Sequence, residues 1–294
     1  MQKNAYFCNL FRIRYFLMSR YFIHLAYNGA AYCGWQTQPN LPTVQLTLEQ
    51  ALTTLLRQPT AVVGCGRTDT GVHASDFYAH FDYPSKNSQQ NEAIEGESSC
   101  DEEKTTKPTS KSTNILDTDL LTFKLNSYLP GDIAIYSIFP VADNAHARFD
   151  AVARSYQYHV SDRRLPFSQG LYCRIFFKPD IERMNEAAQV LMEYDDFTSF
   201  AKLHTQVKTN ICHLTEAHWD EVGDEWIFTI RSNRFLRNMV RSVTGTLLDV
   251  GRGKLSIDGL REIVERKDRC AAGVSMPAQG LFLTKVEYPW ETKK

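Results

Sequence analysis

The chain has 294 residues, of which 43% are hydrophobic and 23% are charged, as expected for a globular protein of about two domains with a buried core. Its 33 basic and 34 acidic residues give a formal net charge of −1, and no run of about 18 uncharged apolar residues occurs, so no membrane span is predicted. The seven cysteines are scattered and form no Cys-x-x-Cys pair. This argues against a disulfide framework or a zinc site and predicts a reducing, cytoplasmic environment.

The charge is unevenly distributed along the chain. Residues 86–119 contain eight acidic residues and four lysines, a net charge of −4, which leaves +3 for the rest of the chain. Residues 85–118 are also rich in polar side chains and poor in large apolar ones, so we predict a mobile polar insertion. The basic remainder is compatible with a polyanionic partner.

The first half of the chain predicts an N-terminal extension followed by an α+β lobe. Residues 1–19 contain basic side chains and no acidic one, and we expect a disordered extension ahead of an alternative start at Met18. Residues 20–140 form the predicted lobe, in which alternating apolar residues indicate strands and apolar residues three or four apart indicate helices. The predicted elements are strands at Tyr21–Tyr27, Ala61–Gly64, Phe77–Tyr83 and Ile133–Phe139 and helices at Thr43–Leu56 and Asp119–Tyr128.

The second half, residues 141–290, predicts another α+β lobe. The predicted elements are strands at Arg154–Val160, Leu214–Glu221, Trp226–Ser232 and Leu281–Tyr288 and helices at Ile181–Tyr194, Asn233–Val250 and Ser256–Arg266. Strands outnumber helices, and short turns join several of them. This favours an α+β fold with a mixed, mostly antiparallel sheet and helices on one side.

The loop at residues 66–73 is the first candidate site. Two glycines bracket the sequence Arg-Thr-Asp-Thr, so the backbone turns sharply and can approach a ligand. The Arg67 guanidinium favours an ionised Asp69 carboxylate, which can act as a nucleophile or general base. The alternative is a structural turn in which Asp69 binds its own backbone. The Asp-Thr-Gly triplet also matches aspartic proteases, but the chain has no second such triplet to supply the paired carboxylate.

Two groups of basic and aromatic residues are further candidates. On the predicted helix from Asn233, the arginines Arg234, Arg237 and Arg241 share a face that can follow phosphates, although a solvated helix face explains them equally. On the strand that begins at Arg154, the side chains of Tyr156 and Tyr158 lie on one face. There Tyr156 can stack on an unpaired base while Arg154 binds its phosphate. Core tyrosines are the alternative interpretation.

Taken together, the motifs resemble the tRNA pseudouridine synthase A family from about Arg20 to Tyr288, apart from the insertion. The Gly-Arg-Thr-Asp-x-Gly-Val-His loop is the most specific of them. The matching segments are Tyr27-Asn28-Gly29, Gly34-Trp35-Gln36, Gly66-Arg67-Thr68-Asp69-Thr70-Gly71-Val72-His73-Ala74, Leu129-Pro130-Gly131-Asp132-Ile133, His146-Ala147-Arg148-Phe149, Asp196-Phe197-Thr198-Ser199-Phe200, Met239-Val240-Arg241 and Gly280-Leu281-Phe282-Leu283.

The resemblance implies an enzyme that isomerises uridine to pseudouridine in the anticodon stem-loop of tRNA, at positions 38 to 40. It implies no metal, nucleotide or organic cofactor. It also implies a two-lobed α+β protein with a central cleft, acting as a homodimer in which both subunits contact one tRNA. The serious alternative is a non-catalytic RNA-binding protein of the same fold. A carboxylate-dependent hydrolase is disfavoured because the sequence offers no second acid to work with Asp69.

The resemblance also implies roles for individual residues. Asp69 is similar to the family's catalytic aspartate, and Arg67 to the arginine that displaces the target base. Tyr156 is similar to the tyrosine that stacks on the flipped base, and Arg241 to the arginine that pairs with the nucleophile. Leu281 is expected to line the pocket. The sequence departs from the family at Gln279, where a glutamate is common, and in its long insertion and N-terminal extension.

Overall fold

The computed structural model describes residues 17–85, 116–202 and 208–290. Within these ranges the strands are β1 Leu17–Tyr27, β2 Val63–Gly64, β3 His73–Ser85, β4 Ile133–Pro140, β5 Ala153–Ser161, β6 Cys173–Arg174, β7 Leu214–Val222, β8 Glu225–Ser232 and β9 Leu281–Glu287. The helices are α1 Val44–Leu56, α2 Thr118–Tyr128, α3 Ile181–Leu191, α4 Met239–Gly251 and α5 Ile257–Arg266.

One sheet runs through the described chain in the order β4-β1-β3-β9-β5-β8-β7, with β2 paired to β3 and β6 to β5. The β3–β9 and β5–β6 pairs are parallel, and the other pairs are antiparallel. The predicted α+β class with a mixed, mostly antiparallel sheet is confirmed. Because β9 lies between β3 and β5, the last strand among the described residues joins the two halves of the sheet.

Local sequence explains where most helices begin and which face they bury. The Thr43 hydroxyl accepts a hydrogen bond from the N–H of Leu46 and caps α1, and the inward residues Val44, Leu48 and Leu52 are fully buried. A side-chain cap of this kind contributes about 1 kcal/mol. Burying each leucine contributes about 2 kcal/mol relative to an exposed position, so packing dominates over capping.

Two hydrophobic clusters meet at the middle of the sheet. One is formed mainly by residues 21–147 and includes Leu283 and Val286 of β9, and the other by residues 158–281 together with Val72. The ring of Tyr156 packs against both clusters. The division into lobes at residues 20–140 and 141–290 remains a prediction, but the seam between the clusters is where the candidate site lies.

The N-terminal strands are longer than the sequence predicted. β1 begins at Leu17 and not at Tyr21, so residues 17–19 lie in the sheet, whereas the sequence predicts a disordered extension there. They pair with the end of β3, which runs on to Ser85 because each strand supplies the other with backbone partners. The rest of the extension, residues 1–16, and residues 86–115 of the predicted insertion lie outside the described residues.

The predicted helix from Asn233 to Val250 is wrong over its first six residues, because α4 begins only at Met239. The preceding segment, residues 233–238, is a loop whose backbone groups bind other parts of the protein. The carbonyl of Arg237, for example, accepts from the N–H of Lys202 at 3.0 Å. Its last residue, Asn238, has a φ of 68°, which ends any helical run.

This correction changes the predicted row of arginines. Arg234 and Arg237 lie in the 233–238 loop, and Arg241 lies in the first turn of α4. The three therefore do not share a helix face. The 233–238 loop instead places Arg237 next to the carboxylate of Asp69.

Candidate active site

The loop that carries Asp69 joins β2 to β3 and is held by backbone hydrogen bonds. The Thr68 carbonyl accepts from the N–H of Trp35 at 3.3 Å, and the Gly71 N–H donates to the carbonyl of Tyr32 at 3.2 Å. Gly71 has a φ of 77°, a conformation that suits glycine. These contacts fix the loop on both sides of Asp69, so the carboxylate is presented from a rigid support.

Two residues that hold this loop in place were not predicted from the sequence. The phenol of Tyr27 shares a 2.9 Å hydrogen bond with the hydroxyl of buried Thr68. Gly34, with a φ of 88°, lies so close that a Cβ built on it would stand 2.4 Å from the Thr68 carbonyl oxygen. Both residues belong to segments that carry the family resemblance, which was the available signal, but their contact with Thr68 joins parts of the chain more than thirty residues apart.

The Asp69 side chain is 29% exposed, and its Oδ1 accepts from Nε of Arg237 at 3.3 Å. Arg237 is 59% exposed, so the pair sits at the protein surface, where a ligand can reach it. The alternative of a turn in which this carboxylate binds its own backbone does not match this contact. The sequence placed Arg237 among the substrate-binding residues, and the structure makes it the ion-pair partner of Asp69.

Arg241, which the resemblance assigned to the nucleophile, has a different partner in this structure. Its Nε donates to the carbonyl of Met276 at 2.5 Å, while the N–H of Met276 donates to the carbonyl of Arg241 at 3.1 Å. These two bonds fasten the segment before β9 to α4. Leu281, the predicted pocket residue, is 6% exposed and belongs to the second hydrophobic cluster.

Tyr156 contacts the 233–238 loop, which also carries Arg237, the partner of Asp69. Its ring meets that of Phe235 edge-on, with centroids 5.0 Å apart. Burial is the main reason why the pKa of Tyr156 is raised; the positive charge of Arg154 opposes this rise, and the negative charge of Asp69 adds to it. The phenol is therefore protonated at neutral pH, and Tyr156 offers a ring face and a hydroxyl rather than a phenolate.

Arginines converge around these residues. We call Arg67, Arg148, Arg154 and Arg234 the arginine cluster. Burial, followed by the positive charges of the other three members, lowers the pKa of Arg148. Mutual repulsion of this kind is relieved when a polyanion supplies phosphates between the guanidinium groups. The cluster therefore supports the predicted binding of a nucleic acid.

Arg154 is the member whose surroundings differ from the prediction. The sequence suggested that it binds a phosphate, but its Nη2 donates to the carbonyls of Cys65 at 2.7 Å and Arg148 at 2.9 Å. Its Nη1 is directed at two further backbone carbonyls. The guanidinium thus faces the protein backbone.

A histidine-supported turn at residues 146–149 presents Arg148 to the site. The Nδ1 of buried His80 accepts from the N–H of Ala147 at 3.1 Å, and the Nδ1 of His146 accepts from the N–H of Arg148 at 3.1 Å. Both rings must be unprotonated at Nδ1 to accept these bonds. The turn leaves Phe149 75% exposed, with the guanidinium of Arg148 over its ring.

The same turn predicts a pH dependence of stability. Burial, followed by the charges of Arg20 and His146, lowers the pKa of His80 to about 4, whereas an unfolded histidine titrates near 6.5. Between these values the unfolded chain binds the extra proton, so the stability due to His80 is present above about pH 6.5 and is lost as the pH falls towards 4. From pH 7 to pH 5 we expect His80 to lower the free energy of unfolding by about 2 kcal/mol.

His80→Gln retains an acceptor for Ala147 but does not titrate. Urea unfolding at pH 7 and pH 5 should show a smaller loss of stability on acidification for this variant than for the wild type. An equal loss in both proteins would contradict the assignment.

A cavity of about 450 Å³ lies at the end of β4, between Phe139 and Trp290, and none of the predicted site residues lines it. Its walls are mostly apolar, and Asp150 is the one ionisable group among the described residues that line it. The cavity therefore does not gather the reactive groups expected of an active site. The chemistry is concentrated instead on the open surface around Asp69, a shape that suits a large substrate better than a small molecule.

Comparison with known proteins agrees with this chemistry. A family described as tRNA pseudouridine synthase matches residues 187–289. The chain is 49% identical over 285 residues to tRNA pseudouridine synthase A of Bacteroides thetaiotaomicron, covering 94% of this chain and 95% of that protein. It is 51% identical to the protein of that name from Parabacteroides distasonis, covering 93% and 98%, and 50% identical to that from Porphyromonas gingivalis, covering 92% and 98%.

The chain belongs to the tRNA pseudouridine synthase A family. The predicted resemblance and the predicted enzyme class, an isomerase, are thereby confirmed. No helix within residues 17–85, 116–202 and 208–290 combines the length and apolar character needed to cross a bilayer. The roles assigned to single residues remain predictions, although the structure does place Asp69 and Tyr156 in contact with the same loop, through Arg237 and Phe235.

Proposed function

We propose that this protein isomerises uridine to pseudouridine in the anticodon stem-loop of tRNA, at positions 38 to 40, with the Asp69 carboxylate as nucleophile. The observation that carries the proposal is that one loop, residues 233–238, supplies both the ion-pair partner of Asp69, Arg237, and the ring of Phe235 that contacts Tyr156, beside the arginine cluster. The names of the relatives supply the substrate class. The position within the tRNA and the nucleophile rest on the motif resemblance.

The proposed reaction rearranges bonds within one nucleotide. The Asp69 carboxylate attacks the target nucleotide, the C1′–N1 bond breaks, and its electron pair leaves with the uracil. The uracil turns until C5 faces C1′ and a C5–C1′ bond forms. The bond between the Asp69 carboxylate and the nucleotide breaks, and its electron pair returns to the carboxylate. C5 then loses a proton and N1 gains one, so atoms and electrons balance without a redox step.

The surrounding residues serve this reaction in distinct ways. Arg237 neutralises the Asp69 carboxylate before the substrate arrives and is exposed enough to move aside. Arg67 is exposed next to the nucleophile, where it can enter the RNA helix and displace the target base. The ring of Tyr156 offers a stacking surface for the extruded base, a contact worth about 1–3 kcal/mol. Arg148 and Arg234 bind the neighbouring phosphates.

We further propose that the protein acts in the cytoplasm as a homodimer in which both subunits contact one tRNA, without a metal or organic cofactor. The support for these points is the motif resemblance. Native mass spectrometry of the enzyme mixed with tRNA should show two chains per tRNA, and a complex with one chain per tRNA would contradict the dimer.

Pseudouridine mapping tests the proposed position. Unmodified tRNA is incubated with the purified protein and treated with carbodiimide, and reverse transcription then locates the modified bases. We expect new stops at positions 38 to 40, and none in a matched tRNA that carries cytidine there. Salt-sensitive tRNA binding without any stop would contradict the proposal and favour a non-catalytic RNA-binding protein of the same fold.

A further inference from the structure

The guanidinium of Arg154 connects three segments of the chain that are far apart in sequence. Nη2 donates to the Cys65 and Arg148 carbonyls at 2.7 and 2.9 Å. Nη1 makes longer contacts with the carbonyls of Asn233 at 3.4 Å and Ala151 at 3.5 Å. Arg154 itself lies in β5, whose pairing with β8 and β9 fixes its backbone. A side chain on a rigid strand therefore holds three loop segments at once.

Each segment bound by Arg154 carries a side chain of the candidate site. Cys65 opens the loop that carries Asp69, and Asn233 opens the loop that carries Arg237, the ion-pair partner of Asp69. Arg148 is the member of the arginine cluster in the histidine-supported turn. The carboxylate and its partner thus sit on two loops that are 168 residues apart at the ion pair, and both loops are fastened to the same guanidinium.

The chemistry of arginine suits this task. Its planar group directs several N–H donors along fixed directions, so that it can bind carbonyls on different sides at the same time. A lysine ammonium keeps the charge but has no such fork. Donors that bind backbone carbonyls are also not available to a phosphate, which separates Arg154 from the other members of the arginine cluster.

We propose that Arg154 is a positioning residue that holds the Asp69 loop and the 233–238 loop in the relative arrangement required for the reaction. The inference rests on the proposed role of Asp69. Displacing a reacting group by about 1 Å can reduce a rate by about 100-fold. Loss of Arg154 should therefore slow the chemical step even when tRNA is fully bound.

The test compares Arg154→Lys and Arg154→Met with the wild type under single-turnover conditions at saturating tRNA. The rate of pseudouridine formation, the Kd for tRNA at several salt concentrations and the Tm are measured for each protein. We expect both variants to react about 100-fold more slowly, with a tRNA affinity within about twofold of the wild type and an unchanged dependence on salt. The lysine variant should not rescue the rate, because charge alone does not replace the fork.

Arg20→Met is the matched control for losing a partly buried arginine. Arg20 binds Asp82 and the Ala145 carbonyl, outside the candidate site. This variant should have a lower Tm but a normal rate at a temperature where it is folded. If Arg154→Met does not fold, the lysine variant decides the question by the same measurements.

Two results would overturn the inference. Weaker tRNA binding with a smaller salt dependence and a normal rate at saturation, rescued by lysine, would make Arg154 a phosphate ligand. Unchanged rate and affinity would leave it without a role in the reaction. Asp69→Asn is measured in parallel, so that an active Asp69→Asn enzyme identifies a failure of the proposed function rather than of the role of Arg154.

Discussion

Asp69→Asn is expected to abolish pseudouridine formation while leaving tRNA binding within about twofold of the wild type. Asparagine keeps the size of the side chain, so the loop and its backbone bonds are preserved. It removes the negative charge and the nucleophilic oxygen, and loss of a catalytic nucleophile reduces a rate by at least about 10⁴-fold. Binding survives because the phosphates are held by Arg148 and Arg234 and not by Asp69.

The measurement is a single-turnover assay with radiolabelled tRNA, accompanied by a filter-binding titration. Asp143→Asn is the matched control, because it removes the same charge from an exposed position outside the site and should leave the rate unchanged. An Asp69→Asn enzyme with appreciable turnover would rule out the carboxylate as nucleophile. A variant that no longer binds tRNA would instead give Asp69 a structural role.

Gly34→Ala should disrupt the Asp69 loop from beneath. A Cβ at Gly34 would lie 2.4 Å from the carbonyl oxygen of Thr68, and close to the backbone of Asp69 and Thr70 as well. The φ of 88° adds strain for any residue with a side chain. Because the clashing atoms are backbone, they yield only by moving the loop. We expect a loss of about 3 kcal/mol of stability and a rate reduced by about 100-fold.

Thermal unfolding and the single-turnover rate, each measured on the purified variant, test this expectation. Gly131→Ala is the matched control, since a Cβ there meets no atom within 4 Å and Gly131 has no positive φ. It should be close to the wild type in both measurements. A stable, fully active Gly34→Ala protein would show that the loop has more freedom than its contacts indicate.

The regular elements were largely predictable because their signals are local. The helix that ends at Leu56 and the hairpin of β7 and β8 follow from apolar spacing and from turn residues close at hand. The start of α4 was not predictable in this way. Residues 233–238 have no helix-breaking proline or glycine, and their departure from the helix follows from contacts with Lys202 and Arg154, which are distant in sequence.

For the candidate site, the sequence by itself determined which residues are present and what chemistry they allow. Asp69 and Arg67 stand in the most specific of the motifs that led to the family, and the resemblance then indicated a role for Tyr156. Tertiary structure alone decided which groups the arginines bind. Arg237, and not Arg241, contacts Asp69, and Arg154 binds backbone carbonyls. These outcomes depend on how the strand order brings distant loops together, and the partner of a charged side chain is set by distance in space, which no local pattern records.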